Sequence, residues 1–235
     1  MAKWIRYGNS TSVKIVDSFS KKIIVTLGEI KKKFNDHAFR SGKTNEIKNA
    51  LILLGYENRC CVYSCMKEST SLNVMIKMAH DELRNKYKDS INKYIDSKRK
   101  KFGFNNHVFN NHEWLYDLHW YKDNPNTDYM TKVLPLVAEF ELGNRRELDK
   151  GKICNQPYSA VRFDFQKLLV ANADIRLMIF QVANFERDVL ELKKGLNIYF
   201  ENAIKGYDNL KGNYNFLFAC YSKTEFHYTQ ITGTK

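Results

Sequence analysis

Residues 133–142, with the sequence Val-Leu-Pro-Leu-Val-Ala-Glu-Phe-Glu-Leu, decide the fold. The first half of the stretch is apolar throughout, which is typical of a strand that is buried on both faces. The second half carries Glu139 and Glu141 at alternate positions, so a strand places both carboxylates on one face and Phe140 on the other. The stretch therefore predicts an interior strand that ends in a pair of acidic side chains.

The residues on either side predict two further strands and a helix. Residues 115–121 alternate and are rich in aromatic side chains, which predicts a preceding strand. Residues 159–173 have helical spacing, with Ser159 as the expected cap. Residues 174–182 are strongly apolar, which predicts a second interior strand.

The last quarter of the chain completes the pattern. Residues 185–207 predict one long amphipathic helix. Residues 215–221 and 226–231 predict two strands joined as a hairpin. The succession of strands and helices indicates the α/β class, with a mixed central sheet flanked by helices.

The N-terminal part of the chain has a different character. Residues 1–69 predict a basic region that is mostly helical, and residues 70–235 predict the α/β core. Within the first part, the β-branched run 23–27 favours a short strand. Thr44 or Asn45 is expected to cap a helix that Gly55 ends. Residues 72–101 show the longest helical spacing in the sequence.

Composition limits the classes of function. The 235 residues carry a formal net charge of +12, which favours a polyanionic partner such as nucleic acid. Five cysteines at irregular spacing argue against a disulfide framework. The sequence contains neither a secretory signal nor an apolar run that is long enough to span a membrane, so we expect a cytoplasmic protein without a membrane partner.

Acidic side chains indicate a metal site. Asp117 lies centrally in the first predicted strand, and it stands beside Glu139 and Glu141 if the two strands are neighbours. Three carboxylates in one place form an oxygen cage that suits Mg²⁺ or Mn²⁺. The alternative is that the acids face water on an edge strand, but the apolar run before Glu139 favours the metal site. In the next helix, Asp164 and Lys167 share a face and extend this group, or else form a structural salt bridge.

These residues resemble a known family. Asp117, followed by Glu139-Phe140-Glu141, is similar to the Asp…Glu-X-Lys core of PD-(D/E)XK nucleases, with Glu141 in the position of the lysine. Some restriction endonucleases of that superfamily also carry Glu-X-Glu. The resemblance covers roughly residues 112–182 and includes the run 113–120 and the run 163–169. It implies a restriction-endonuclease-like core and a metal-dependent endonuclease, with restriction or defence as the expected context.

The resemblance also implies roles for individual residues. Asp117, Glu139 and the Phe140 carbonyl would ligate Mg²⁺, and Glu141 would orient or deprotonate the attacking water. Lys167 would replace the missing lysine and neutralise charge on the phosphate. The missing lysine also favours an alternative, in which the chain is an inactive nuclease-fold module that binds nucleic acid or a protein partner.

Other residues are expected to support the site or the substrate. Glu113 would supply a further carboxylate. The cations expected to contact the phosphates of the substrate, for which we expect double-stranded DNA, are Lys98, Arg99, Lys100, Arg145, Arg146 and Arg162. Cutting both strands of a duplex needs two sites, so a homodimer is expected.

Two further classes of site are less consistent with the sequence. A glycosidase places its carboxylates across a sugar cleft, whereas Glu139 and Glu141 share one strand face. The spacing of His107, His112 and His119 matches no common zinc or iron ligand set, which indicates surface or core histidines.

Overall fold

The computed structural model describes residues 2–8, 15, 17–33, 42–58, 60–64, 116–123, 131–143, 157–222 and 225–235. The helices and strands within these residues are, in chain order, β1 (Ile5–Arg6), α1 (Ser18–Lys33), α2 (Gly42–Glu57), β2 (Cys61–Ser64), β3 (Leu118–Asp123), β4 (Thr131–Glu141), α3 (Ser159–Val170), β5 (Ile175–Gln181), a π-helical turn (Glu186–Leu190), α4 (Leu196–Gly206), β6 (Asn213–Tyr221) and β7 (Phe226–Thr234).

The chain divides into two compact units, each described here by itself. The core unit comprises Met1–Ala38 and Leu136–Lys235, and the inserted unit comprises Phe39–Pro135. The predicted boundary between residues 69 and 70 lies outside the described residues. The helix predicted over residues 72–101 also lies outside them.

The core unit is built on a mixed sheet. Its strands lie in the order β1-β7-β6-β5-β4, with β4, β5 and β6 parallel and with β7 antiparallel to both β6 and β1. The predicted interior strands are confirmed as β4 and β5, and the predicted hairpin as β6 and β7. Helices connect the parallel strands, as a parallel sheet requires. The predicted α/β class with a mixed sheet and flanking helices is therefore confirmed.

The helices α3 and α4 cover one face of this sheet. The Phe165 ring of α3 and the Phe200 ring of α4 lie 5.6 Å and 4.5 Å from the Phe218 ring of β6, measured between centroids. Glu139 of β4 is in register with Met178 of β5, which is in register with Phe218. Because residues in register share a face, Glu139 lies on the face that α3 and α4 cover.

The helix α1 covers the opposite face, and the strand predicted over residues 23–27 is wrong. The Tyr221 hydroxyl of β6 donates a hydrogen bond to the Leu27 carbonyl oxygen at 3.0 Å. The buried apolar residues of α1 lie on one face of the helix and are Ile23, Ile24, Leu27 and Ile30. Burial of this helical stripe outweighs the weak preference of β-branched residues for strands.

A polar group fixes the start of α1 to the sheet. One Asp17 carboxylate oxygen accepts the Ser20 backbone N–H at 2.6 Å, as an N-cap does. The other oxygen accepts hydrogen bonds from the side-chain amides of Asn215 and Gln230, at 3.1 Å and 3.0 Å. Burial alone would raise the pKa of Asp17, but these hydrogen bonds outweigh it and lower the pKa.

The start of α3 differs from the sequence prediction. Tyr158, rather than Ser159, is the cap residue, and it adopts a left-handed conformation with φ 60° and ψ 43°. Its side chain makes no capping hydrogen bond to the helix. The helix ends at Val170, three residues before the predicted end, where Ala171 becomes extended.

The long helix predicted over residues 185–207 is interrupted. A π-helical turn ends at Leu190, and α4 begins only at Leu196. Gly195 lies between them and packs against the backbone of the turn. A Cβ atom at Gly195 would collide with the Val189 carbonyl oxygen and would lie 2.7 Å from the Glu191 carbonyl oxygen. Glycine permits this close approach of two backbone segments, because it has no side chain to collide with them.

The inserted unit contains α2 and the antiparallel pair of β2 and β3. The helix α2 begins at Gly42, before the predicted caps Thr44 and Asn45, and it continues past Gly55. A Cβ atom at Gly55 would lie 2.6 Å from Val62 Cγ2 and 2.7 Å from Trp120 Nε1. Gly55 therefore serves close helix-to-strand packing and does not end the helix.

We expect Gly195→Ala to lower the free energy of unfolding of the core unit by at least about 2 kcal/mol, because backbone atoms must move to admit the methyl group. Urea denaturation followed by circular dichroism measures this change. Gly206→Ala is the matched control at the end of α4, where a Cβ atom meets no described atom within 4 Å. Its effect should stay within about 1 kcal/mol, and equal stabilities of the two variants would contradict the packing argument.

Candidate functional site

The candidate site of the core unit centres on Glu139. This residue lies near the carboxyl end of β4, and its side chain is only 1% exposed. An ionised carboxylate in such an environment is costly unless a cation or hydrogen-bond donors face it. Glu141, two residues on, is partly exposed, and its carboxylate accepts the Gly143 backbone N–H at 3.2 Å. The two acids thus share a face of the strand but differ in their contact with water.

Lys167 of α3 supplies a cation to Glu139. Its ammonium nitrogen lies 3.4 Å from Glu139 Oε2 and 2.9 Å from Asp164 Oδ1, so the predicted pairing of Asp164 with Lys167 is confirmed. Partial burial by itself would lower the pKa of Lys167, but the hydrogen bonds and charges of Asp164 and Glu139 outweigh it and raise the pKa. Lys167 is therefore a firmly charged ammonium held between two carboxylates.

Phe140 and Arg162, two further predicted site residues, are both buried. The Phe140 side chain is buried, and it lies on the opposite face of β4 from Glu139. The Arg162 guanidinium donates hydrogen bonds to the Pro157 and Lys194 carbonyl oxygens, at 3.1 Å and 3.2 Å, and stacks 4.4 Å from the Tyr199 ring centroid. Arg162 is buried and ties these two loop carbonyls together, and its contact with nucleic acid stays a prediction from the sequence.

Asp117 belongs to the inserted unit, where it pairs with a lysine that the sequence analysis missed. Asp117 lies in a bend directly before β3, so its predicted position in the middle of a strand is wrong. Lys48 Nζ of α2 lies 3.3 Å from Asp117 Oδ1. The Ser64 hydroxyl donates to the Asp117 carbonyl oxygen at 3.4 Å. The available signal was weak, since Lys48 stands between Ile47 and Asn49, just before the apolar run of residues 50–54.

Other predicted site residues lie outside the described ranges. They are Glu113, Lys98, Arg99, Lys100, Arg145 and Arg146. Their roles stay predictions from the sequence. Of the three histidines considered as ligands, His107 and His112 also lie outside these ranges. His119 is a buried core histidine, and burial lowers its pKa to about 4, so its imidazole is neutral at pH 7.

A second polar group fixes the start of α3. The sequence analysis missed this group as well. The Tyr158 hydroxyl accepts the Ala183 backbone N–H at 3.1 Å and donates to Asp188 Oδ2 at 2.7 Å. Asp188 Oδ2 also accepts the Asn184 backbone N–H at 2.9 Å, and Arg187 Nε donates to Asp188 Oδ1 at 2.8 Å. We call these five residues the Tyr158 network. It joins the start of α3 to the carboxyl end of β5 and to the π-helical turn.

The ionisation of this network is well defined. Burial, together with the hydrogen bond and the negative charge of Asp188, raises the pKa of Tyr158 to about 12. Burial alone would raise the pKa of Asp188, but hydrogen bonds from Arg187, Tyr158 and the Asn184 backbone outweigh it and lower the pKa. The network therefore contains a neutral phenol and a carboxylate at pH 7. It positions the helix that carries Asp164 and Lys167.

Within the described ranges, histidine, cysteine, aspartate and glutamate side chains form no group of three or more that is able to hold a metal ion. Magnesium is commonly bound through only one or two carboxylates, with water and substrate phosphate as its other ligands. Glu139 with Asp164 corresponds to this sparser arrangement.

Comparison of the chain with known protein families, curated proteins and solved structures gives no match. The functional argument therefore depends on the geometry of the described side chains. Every helix in the described parts of the chain is too short or too polar to cross a membrane.

We expect Tyr158→Phe to lower the free energy of unfolding of the core unit by about 1–3 kcal/mol, because the Ala183 N–H and the Asp188 carboxylate each lose a buried hydrogen-bond partner. Urea denaturation measures the change. Tyr207→Phe is the matched control, since Tyr207 is partly exposed and lies outside the Tyr158 network. A Tyr158→Phe protein as stable as the control would show that the network contributes nothing to stability.

Proposed function

We propose that this chain is a magnesium-dependent endonuclease that hydrolyses phosphodiester bonds of nucleic acid, with double-stranded DNA as the expected substrate. The observation that carries the proposal is the buried Glu139 carboxylate at the carboxyl end of a parallel strand, with the Lys167 ammonium between it and Asp164. Ligands of open α/β sheets bind at the carboxyl ends of the strands. The resemblance of residues 112–182 to PD-(D/E)XK nucleases supports a restriction-endonuclease-like core for the same region.

The residues of this site fit a divalent cation. The Lys167 ammonium already lies within 3.4 Å of one carboxylate and 2.9 Å of another, so oxygen atoms from β4 and α3 gather around a single positive charge. Glu139 and Asp164, with the Phe140 carbonyl as predicted from the sequence, would hold Mg²⁺ or Mn²⁺. Asp117 stays a predicted ligand from the sequence. When bound, such a metal polarises a phosphoryl oxygen and lowers the pKa of a water molecule.

The chain's own residues have distinct roles in this proposal. Glu141 is partly exposed, and in this proposal its carboxylate orients or deprotonates the attacking water. Lys167 is firmly charged, so its ammonium neutralises negative charge that develops on the phosphate. Asp164 contacts that ammonium at 2.9 Å and would share its carboxylate between Lys167 and the metal. The formal net charge of +12 favours binding of the polyanionic substrate.

A second candidate is a nuclease-fold module that binds nucleic acid or a protein partner without cleaving it. The observation that favours it is the Lys167–Glu139 contact, because a lysine that neutralises the buried acid makes a metal unnecessary for stability. Binding of an oligonucleotide by the wild-type chain, without cleavage in Mg²⁺ or Mn²⁺, would support this second candidate.

We expect the full-length chain to nick supercoiled plasmid in Mg²⁺ and to lose this activity in EDTA. Glu139→Gln and Lys167→Met should each reduce the cleavage rate by at least about 100-fold, since each removes a charge that acts on the reacting phosphate. Gel quantification of nicked and linear product measures the rate.

Exposed residues of the core unit provide matched controls. Glu186→Gln and Lys211→Met make the same chemical changes at exposed positions and should cleave at the wild-type rate. Thermal melting by circular dichroism verifies that all four variants fold. Cleavage by folded Glu139→Gln at the wild-type rate would refute the assignment.

A further inference from the structure

The outer face of helix α3 lacks the exposed charges that a solvated helix face normally carries. The exposed residues of this helix are Phe163, Gln166 and Val170, and none of them is charged. Phe163 is 63% exposed and Val170 is 58% exposed. The two residues are seven positions apart, so they lie on one face of the helix. Exposed apolar side chains that share a face, unlike a single one, are typical of an interaction surface.

This apolar face borders the candidate site of the core unit. Lys167 lies between Phe163 and Val170 on the same side of α3. Its ammonium nitrogen is 5.7 Å from the centroid of the Phe163 ring, which is a cation–π distance, and 3.4 Å from Glu139 Oε2. A single ammonium therefore contacts both an exposed aromatic ring and the buried acid of the candidate site.

An exposed aromatic ring next to a lysine suits an unpaired nucleobase. Proteins bind single-stranded nucleic acid by stacking bases on aromatic side chains and by placing cations along the backbone. A base inside a duplex is already stacked on both faces, so it must leave the helix before it can stack on Phe163. A second copy of this chain would bring two net charges of +12 together, whereas a polyanion complements that charge. The exposed ring therefore favours a nucleic-acid partner with an unpaired base.

The charges around Lys167 explain why stacking matters at this point. Two carboxylates, those of Glu139 and Asp164, contact the one Lys167 ammonium. Negative groups thus outnumber the positive one, so electrostatics attracts a phosphate only weakly here. Stacking on Phe163 supplies affinity that does not depend on charge.

We propose that Phe163 is a stacking platform for an unpaired nucleobase, and that the nucleic acid bound at the candidate site is single-stranded or locally unpaired. This inference rests on the proposed function, in which the ligand is nucleic acid. It narrows the expected duplex substrate to one that exposes a base next to the bond that is cut. Because Lys167 contacts both the ring and Glu139, a base stacked on Phe163 lies beside the site.

Fluorescence anisotropy of the full-length chain measures binding of a fluorescein-labelled oligothymidylate and of a blunt hairpin duplex, in EDTA so that no cleavage occurs. Phe163→Leu keeps an apolar side chain but removes the aromatic face, so it should weaken binding of the single strand by at least about fivefold. Its affinity for the duplex should change by less than about twofold, because duplex binding depends on phosphate contacts. Phe163→Trp should bind the single strand at least as tightly as wild type, and the oligonucleotide should quench the emission of the added indole.

Phe19→Leu is the matched control on α1, the helix that covers the opposite face of the sheet. The Lys22 ammonium lies 5.9 Å from the Phe19 ring centroid, so this variant makes the same change beside another lysine. It should leave both affinities at the wild-type values. Thermal melting by circular dichroism verifies that all three variants fold.

Failure of this inference and failure of the proposed function give different results. Equal single-strand affinities of wild type and folded Phe163→Leu would overturn the stacking role, even if Glu139→Gln abolishes cleavage. A Phe163→Leu chain that changes only from dimer to monomer in sedimentation would also overturn it, because the face would then bind a second copy. Single-strand binding that depends on Phe163, without cleavage by the wild-type chain in Mg²⁺, would support the stacking role and refute the proposed cleavage.

Discussion

Burial of the Glu139 carboxylate is the constraint on which the organisation of the core unit depends. A charge that is 1% exposed needs a counter-charge within a few ångströms, and the sheet itself offers only apolar neighbours at the register position of Met178. The counter-charge comes from α3, where Lys167 reaches the strand. Helix α3 must therefore lie over β4 in an orientation that brings Lys167 within reach of Glu139. This electrostatic requirement adds to the apolar packing of Phe165, which by itself tolerates more than one arrangement.

The connections around α3 meet this requirement at both of its ends. At its start, the left-handed Tyr158 costs backbone energy but directs a hydroxyl to the end of β5 and to Asp188. At its end, Arg176 Nε of β5 donates to the Ala171 carbonyl oxygen at 2.9 Å, so the helix terminus is held by the strand that follows it. Strain at one terminus is thus compensated by hydrogen bonds at both termini. The ammonium of Lys167 is carried by a helix whose position is fixed by polar contacts that are largely independent of the apolar core.

The sequence predicted those features that depend on local pattern. The strand containing Glu139 and Glu141 follows from the apolar run and from period-two alternation, and the Asp164–Lys167 contact follows from helical spacing. Lys167 was also expected at the site of Glu139, which it contacts, but other features that depend on distant residues were not predicted. Lys48 and Asp117 are 69 positions apart, so no local pattern joins them. The residues 23–27 are helical because they cover a sheet face formed almost 200 positions later, and their own composition indicates a strand. The structure therefore gives the position of Asp117, whereas its role as a metal ligand stays a prediction from the sequence.

Each of the two units contains a contact between a lysine and an acidic side chain. In each, a carboxylate that the sequence marks as a metal ligand is faced by a lysine from a helix: Lys167 for Glu139, and Lys48 for Asp117. The two pairs differ in which partner is buried. In the first pair the acid, Glu139, is buried, and in the second pair the lysine, Lys48, is buried. In each pair the partner of the buried charge keeps contact with water, so neither unit encloses both charges of its pair.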